Sequence, residues 1–223
     1  MRERAMKAKL PLVFLVDVDN TLLHNDRIVE DVRHYLEQFF GLDACERYWS
    51  IFEEQRQELG YADFLGALQR YRLERLHDPR LLRMSSFLVD YPFADRLYPK
   101  ALEVIANLDS MGDVVILSDG DAVFQPRKIE RSGLWSAVKG RVLIYIHKEQ
   151  MLDDVEHHYP AEHYVFVDDK IRLLTAVKQI WQSRVTTVFP QQGRYARDPV
   201  ALKTYPPADE TVARIGDLLD YRF

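Results

Sequence analysis

With one cysteine in 223 residues, Cys45, the chain cannot form an intramolecular disulfide, and nothing in it calls for an oxidising compartment. No apolar run approaches the roughly 20 residues of a bilayer-spanning helix, and the first ten residues are too basic and too poor in apolar side chains for a secretory leader. A cytoplasmic protein with no membrane partner is the expectation. An excess of positive charge is also missing. Lys and Arg total 30 against 35 Asp and Glu, a formal net charge of -5, which leaves no broad cationic surface for nucleic acid. Internal repeats, low-complexity segments and glycine-rich linkers are absent too. What is present is an ordinary globular composition, 47% hydrophobic and 29% charged, long enough for one large core or a core with a smaller insertion. The basic stretch from Met1 to Lys9 reads as a frayed tail.

Short apolar, β-branched runs alternate with helical patterns along most of the chain. Strands are expected at Leu12 to Val16, Val114 to Leu117, Val142 to Ile146, Tyr164 to Val167 and Val185 to Phe189. Leu97, Ala101, Ile105 and Leu108 repeat at helical spacing, as do Ile171, Leu174, Val177 and Trp181. This rhythm predicts an α/β fold, a doubly wound parallel sheet of Rossmann type. One interval breaks it. Between about Ile28 and Phe87 only amphipathic helical patterns occur, with Trp49 and Phe52 as expected interior residues. The expected division is a core of residues 10–23 and 93–223 with an α-helical cap at 24–92, hung over the carboxyl ends of the strands where open α/β sheets bind ligands. Gln191 to Pro207 reads as a loop, and Glu210 to Leu219 as a closing helix.

The first strand ends in Asp17-Val18-Asp19-Asn20-Thr21. Side chains two apart in extended chain lie on one side, so Asp17 and Asp19 start with a common orientation at the edge of the core. Two anions there call for a cation, donors or a raised pKa. Three more polar clusters follow later strands: Ser118-Asp119-Gly120, Lys148, and Asp168-Asp169. A parallel sheet aligns its carboxyl ends, so these distant residues are expected to converge.

Those motifs, in that order, resemble the haloacid dehalogenase-type (HAD) hydrolase superfamily over nearly the whole chain, including a helical cap between the first and second motifs. The resemblance implies that Asp17 is a nucleophile toward phosphorus and that Asp19 is the acid and base for leaving group and water. It implies Mg2+ held by Asp17, the Asp19 backbone carbonyl, Asp169 and, directly or through water, Asp168. Ser118 and the Asp119 amide would donate to phosphoryl oxygens, and Lys148 would neutralise charge on nucleophile and phosphate. The implied function is that of a phosphatase acting on a small phosphorylated metabolite. Alternatives are a 2-haloacid dehalogenase and a non-catalytic relative that only binds or regulates. An acid at position 19 favours phosphoryl transfer, because a departing halide needs no proton. Many members carry another acid shortly after the final pair; here Lys170-Ile171-Arg172 follows instead.

Some residues are read more plainly. Lys128 is a rival to Lys148 but is expected within a helix, facing solvent. A receiver-like phosphoacceptor domain is disfavoured because Lys148 precedes Asp168-Asp169. His157-His158 is expected at an exposed helix end, His147 in a structural role, and Arg47, Arg70, Arg72 and Arg75 mostly on a solvated face, with one of them a candidate for meeting substrate.

Overall fold

A computed structural model describes residues 9–223. Of the expected basic tail, Met1 to Lys9, residues 1–8 lie outside the described residues. Six strands form one all-parallel sheet in the order β3-β2-β1-β4-β5-β6: β1 (Leu10–Val16), β2 (Asp113–Asp119), β3 (Val142–Tyr145), β4 (Ala161–Val167), β5 (Val185–Pro190) and β6 (Glu210–Val212). Strand order reverses on either side of β1, which places the topological switch point at its carboxyl end.

The sheet is covered on both faces, and β1 shows why its sequence is continuously apolar. Val13 and Leu15 belong to one buried cluster, while Phe14 and Val16 belong to the other. Under the first face lie α8 (Leu152–His158), α9 (Ile171–Trp181) and α10 (Pro199–Thr204). Against the second pack α5 (Ala101–Asp109), α6 (Phe124–Arg131) and α7 (Leu134–Ala137).

Four helices lie between β1 and α5: α1 (Asn25–Phe40), α2 (Leu42–Leu59), α3 (Phe64–Glu74) and α4 (Arg80–Val89). On α1, Ile28, Val32, Leu36 and Phe40 are buried at four-residue spacing, the stripe that a core-facing helix needs. Gly60 closes α2 in the left-handed conformation (φ 81°), and the Asp63 carboxylate caps α3 by accepting from Gly66 N at 2.6 Å. Interior residues of these helices, Trp49 and Phe52 among them, join the same apolar cluster as β1 and α6.

The chain after β5 departs from the sequence expectation in two places. The expected loop from Gln191 to Pro207 contains α10, started by proline in its first turn and by the Asp198 carboxylate, which accepts from Val200 N at 2.9 Å. The expected closing helix from Glu210 to Leu219 is β6 followed by a 3-10 turn at Ile215–Asp220. Val212, Ile215 and Leu218 are buried at helical spacing, yet Glu210 to Val212 extend the sheet by pairing with β5. Beyond β5, Gln192 is buried and ties distant segments together. Its amide donates to Thr21 O at 3.0 Å and its carbonyl accepts from Ile215 N at 2.7 Å. Among the described residues no helix is long and apolar enough to cross a membrane.

Leu15 is fully buried in the central strand. Leu15→Ala is expected to cost about 2–5 kcal/mol of unfolding free energy, read by urea denaturation; a cost under about 1 kcal/mol would contradict this packing.

Candidate active site

At the carboxyl end of β1 the chain turns sharply. The Val18 carbonyl accepts from the amides of Leu22 (3.0 Å) and Leu23 (2.9 Å), and Asn20 takes a positive φ of 62°. This turn faces the ends of β2 and β4. Asp17, Asp168 and Asp169 each place a carboxylate oxygen within 4.8 Å of the others, and all three are buried. Lys148, reached through β3 and also buried, sits among them. Its Nζ donates to Asp17 Oδ1 at 2.5 Å and to Leu117 O at 3.2 Å, and it lies 2.6 Å from Asp168 Oδ2. Thr21 links the two ends of the cluster: its hydroxyl donates to Asp17 Oδ2 and accepts from Asp169 N, both at 3.2 Å.

The electrostatics of this cluster are unbalanced. Burial pushes the Asp168 carboxyl up to about 6, against the pull of Lys148. Burial, and then the neighbouring Asp168, raise Asp169 well above the ordinary carboxylate range. Burial alone would lower the Lys148 ammonium, but Asp168, Asp17 and Asp119 outweigh it and hold the pKa up. Lys170, which directly follows the acidic pair, feels the same contest: burial would lower its pKa, but Asp17, Asp168 and Asp169 raise it. Both Asp169 carboxylate oxygens are buried without a hydrogen-bond partner among the described residues. Two such orphaned oxygens beside two further carboxylates make a hard-oxygen donor set that suits a divalent cation.

The remaining expected residues do not all join this cluster. Asp19 and Asp119 instead line a cavity of about 800 Å3 that lies over the strand ends. Asp119 Oδ1 accepts from Lys148 N at 2.7 Å, and burial raises its carboxyl pKa. Ser118 is buried, and its hydroxyl accepts from Gln125 Nε2 at 2.9 Å. Gly120 makes room for that glutamine, since a Cβ there would come within 2.6 Å of Gln125 Cβ.

Lys128 corrects the sequence reading. It is not a solvated helix residue: it is 1% exposed, and its Nζ donates to Asp19 Oδ1 at 2.7 Å and to Asn25 Oδ1 at 3.1 Å. The ammonium also lies 5.5 Å from the centre of the Phe124 ring. The signal available in the sequence was the shared face of Phe124, Gln125 and Lys128 on α6, at spacings of three and four. The four arginines singled out from the insertion are elsewhere. Arg47 pairs with Glu74 at 2.5 Å and Arg70 with Glu58 at 2.7 Å, and neither they nor Arg72 and Arg75 line the cavity, whereas Arg33 and Arg56 do. His147 reaches the cavity wall against Gly60, and His157 and His158 end α8 on the surface.

Residues 12–180 match the family of haloacid dehalogenase-like hydrolases. The chain belongs to this family. A haloacid dehalogenase-like hydrolase from Burkholderia xenovorans LB400 is 62% identical over 95% of this chain and 99% of its own, with a TM-score of 0.90. Two more distant structures share the fold. A HAD-hydrolase from Bacillus subtilis, solved bound to magnesium, is 14% identical over 96% of this chain and 100% of its own (TM-score 0.59). L-2-haloacid dehalogenase from Xanthobacter autotrophicus is 20% identical over 94% and 97% (TM-score 0.56). No curated protein matches the sequence of this hydrolase.

The crowded carboxylates set a testable sign. In chelator, Asp169→Asn is expected to stabilise the hydrolase by about 1–3 kcal/mol, because it removes a buried charge without changing shape. A divalent cation at a hundred times its Kd should add ~2.7 kcal/mol to the wild type, roughly 5–10 °C in Tm, and far less to the variant. Thermal melts with EDTA and with magnesium chloride measure both, and an equal cation response in the two proteins would remove Asp169 from the site.

Proposed function

We propose that this hydrolase is a cytoplasmic, magnesium-dependent phosphatase of small phosphorylated molecules, working through an aspartyl-phosphate on Asp17. The observation that carries the reading is Asp19. Its carboxylate stands at the cavity floor, 26% exposed and ion-paired with Lys128, two residues beyond a buried carboxylate that touches Lys148. A proton donor at that place serves an oxygen leaving group, whereas halide would leave without one. The fold shared with L-2-haloacid dehalogenase therefore does not shift the choice.

In this mechanism an Asp17 carboxylate oxygen attacks phosphorus, and the bond to the ester oxygen breaks as protonated Asp19 gives that oxygen its proton. In the second half Asp19 takes a proton from water as the water oxygen attacks phosphorus. The Asp17 carboxylate departs, and inorganic phosphate is released. Lys148 and Ser118 neutralise and bind phosphoryl oxygens with the Asp119 amide, and Lys128 with Asn25 keeps the Asp19 carboxylate aimed. Magnesium, held by the Asp17 and Asp169 carboxylates and the Asp19 carbonyl with Asp168 beside them, would offset the charge on the phosphoryl group. The Bacillus subtilis relative is described as bound to magnesium and as showing interdomain movement, which agrees with this reading.

Asp17 is 3% exposed, so substrate must reach it by a movement. We assign that movement to residues 24–92, the four-helix insertion, as a cap that opens over the core and closes to exclude water.

Hydrolysis of 4-nitrophenyl phosphate with magnesium is the primary test. Asp17→Asn is expected to lower it at least about a thousandfold, and halide release from 2-haloacids without phosphate release would overturn the assignment. Lys128→Met provides a second test. Its loss on an unactivated alkyl phosphate should exceed its loss on the nitrophenyl ester by roughly tenfold, because only the former depends on protonation by a well-placed Asp19. Equal losses would reduce Lys128 to a structural residue.

A further inference from the structure

The cavity has a direction. At one end is Asp19, with Lys128 beside it at 2.7 Å. From there aromatic rings follow in sequence along the wall. Phe124 and Phe64 have ring centres 5.0 Å apart, Phe64 and Phe52 4.8 Å, and Phe52 and Trp49 5.0 Å. All four rings line the cavity. The series ends at Arg33, whose guanidinium lies 5.0 Å from the centre of the Trp49 ring.

Helix α1 gives a second view of the same axis. Asn25, Val29 and Arg33 line the cavity at four-residue spacing, so they share one face of the helix. Eight residues of helix rise ~12 Å, which sets Arg33 about that far along the axis from Asn25, itself bonded to Lys128 at 3.1 Å.

Arg33 also differs from the other arginines of the cavity. Arg56 pairs with Glu53 at 2.8 Å, Arg172 with Glu149 at 3.1 Å and Arg194 with Asp26 at 3.7 Å. Among the described residues Arg33 has no carboxylate at ion-pair distance. Its cationic fork is stacked on an aromatic face at the far end of an apolar wall, with its donors still available. A planar fork of that kind suits a carboxylate or another compact anion.

We infer that the preferred substrate of this hydrolase is an elongated phosphate monoester with a flat apolar or aromatic body and a second anionic group at the far end, received by Arg33. The inference rests on the phosphatase reading and adds to it a length, a body and a second charge. Phosphate at Asp17 and anion at Arg33 would fix the substrate at both ends, and the rings between them would take its apolar midsection.

A matched pair of probes isolates the second charge: 3-(4-phosphonooxyphenyl)propanoate and its N-methyl amide, which share a leaving group and a length. The wild type should favour the carboxylate in kcat/KM by about tenfold, chiefly through KM. Arg33→Met, which keeps the stem over Trp49, should abolish that preference, and Arg33→Lys should restore part of it. Arg47→Met, on the Glu74 pair outside the cavity, should leave it unchanged. No preference in the wild type, or one that survives Arg33→Met, overturns the inference while the phosphatase reading stands. Failure to hydrolyse either ester overturns both.

Discussion

The buried Lys148 ammonium is the interaction on which the rest of the site depends. Three carboxylates meet inside the molecule where three strands end, and Lys148 is the cation that reaches two of them, Asp17 at 2.5 Å and Asp168 at 2.6 Å. Without a cation there, strand order would bring like charges together in a medium that screens them poorly. The attraction is incomplete, because Asp169 has no bonded partner for either oxygen among the described residues. A protein that retains such an imbalance in its interior favours a further positive charge there, so the feature that costs stability is also the one that suits a cation.

The scaffold was legible because its strands are covered on both faces. β1, β2, β4 and β5 read as continuous apolar runs ending in polar residues, and a parallel sheet then lines up those ends without further information. The meeting of Asp17, Lys148, Asp168 and Asp169 follows from that alignment. What the sequence concealed depends on tertiary context. Lys128 stands in a stretch as polar as any solvated helix, and its spacing from Phe124 and Gln125 hints at a shared buried face without saying that its ammonium meets Asp19. The end of the chain misled through spacing, since Val212, Ile215 and Leu218 have the interval of a helix but are divided between a strand and a 3-10 turn. At Asp198-Pro199 the reverse happened: a capping pair was read as loop composition although it starts α10.

The insertion and the core meet through aromatic rings. Phe64 of α3 packs on Phe124 of α6, and Phe124 also lies against Phe93 at 5.6 Å. The same ring stands 5.5 Å from the Lys128 ammonium. Packing across this boundary and placement of the Asp19 carboxylate are thus coupled through Phe124 and Lys128, two residues on one face of a single short helix. A shift of the insertion that disturbed this contact would reach Asp19 within one side-chain layer, whereas Asp17 is anchored independently by Thr21 and Lys148.

Gln192 gives this architecture a consequence in time. Asp17 is held by a lysine 131 residues away, Asp169 by a threonine 148 residues away, and the Asn20 carbonyl by Gln192 from 172 residues downstream. Gln192 in turn is held by Ile215, close to the final residue. Contacts of such separation close large loops, which costs entropy and slows folding. The end of the first strand thus takes its partners from segments that the chain reaches only much later, Lys148 and Asp169 for the carboxylate cluster and Gln192 for the turn beyond it.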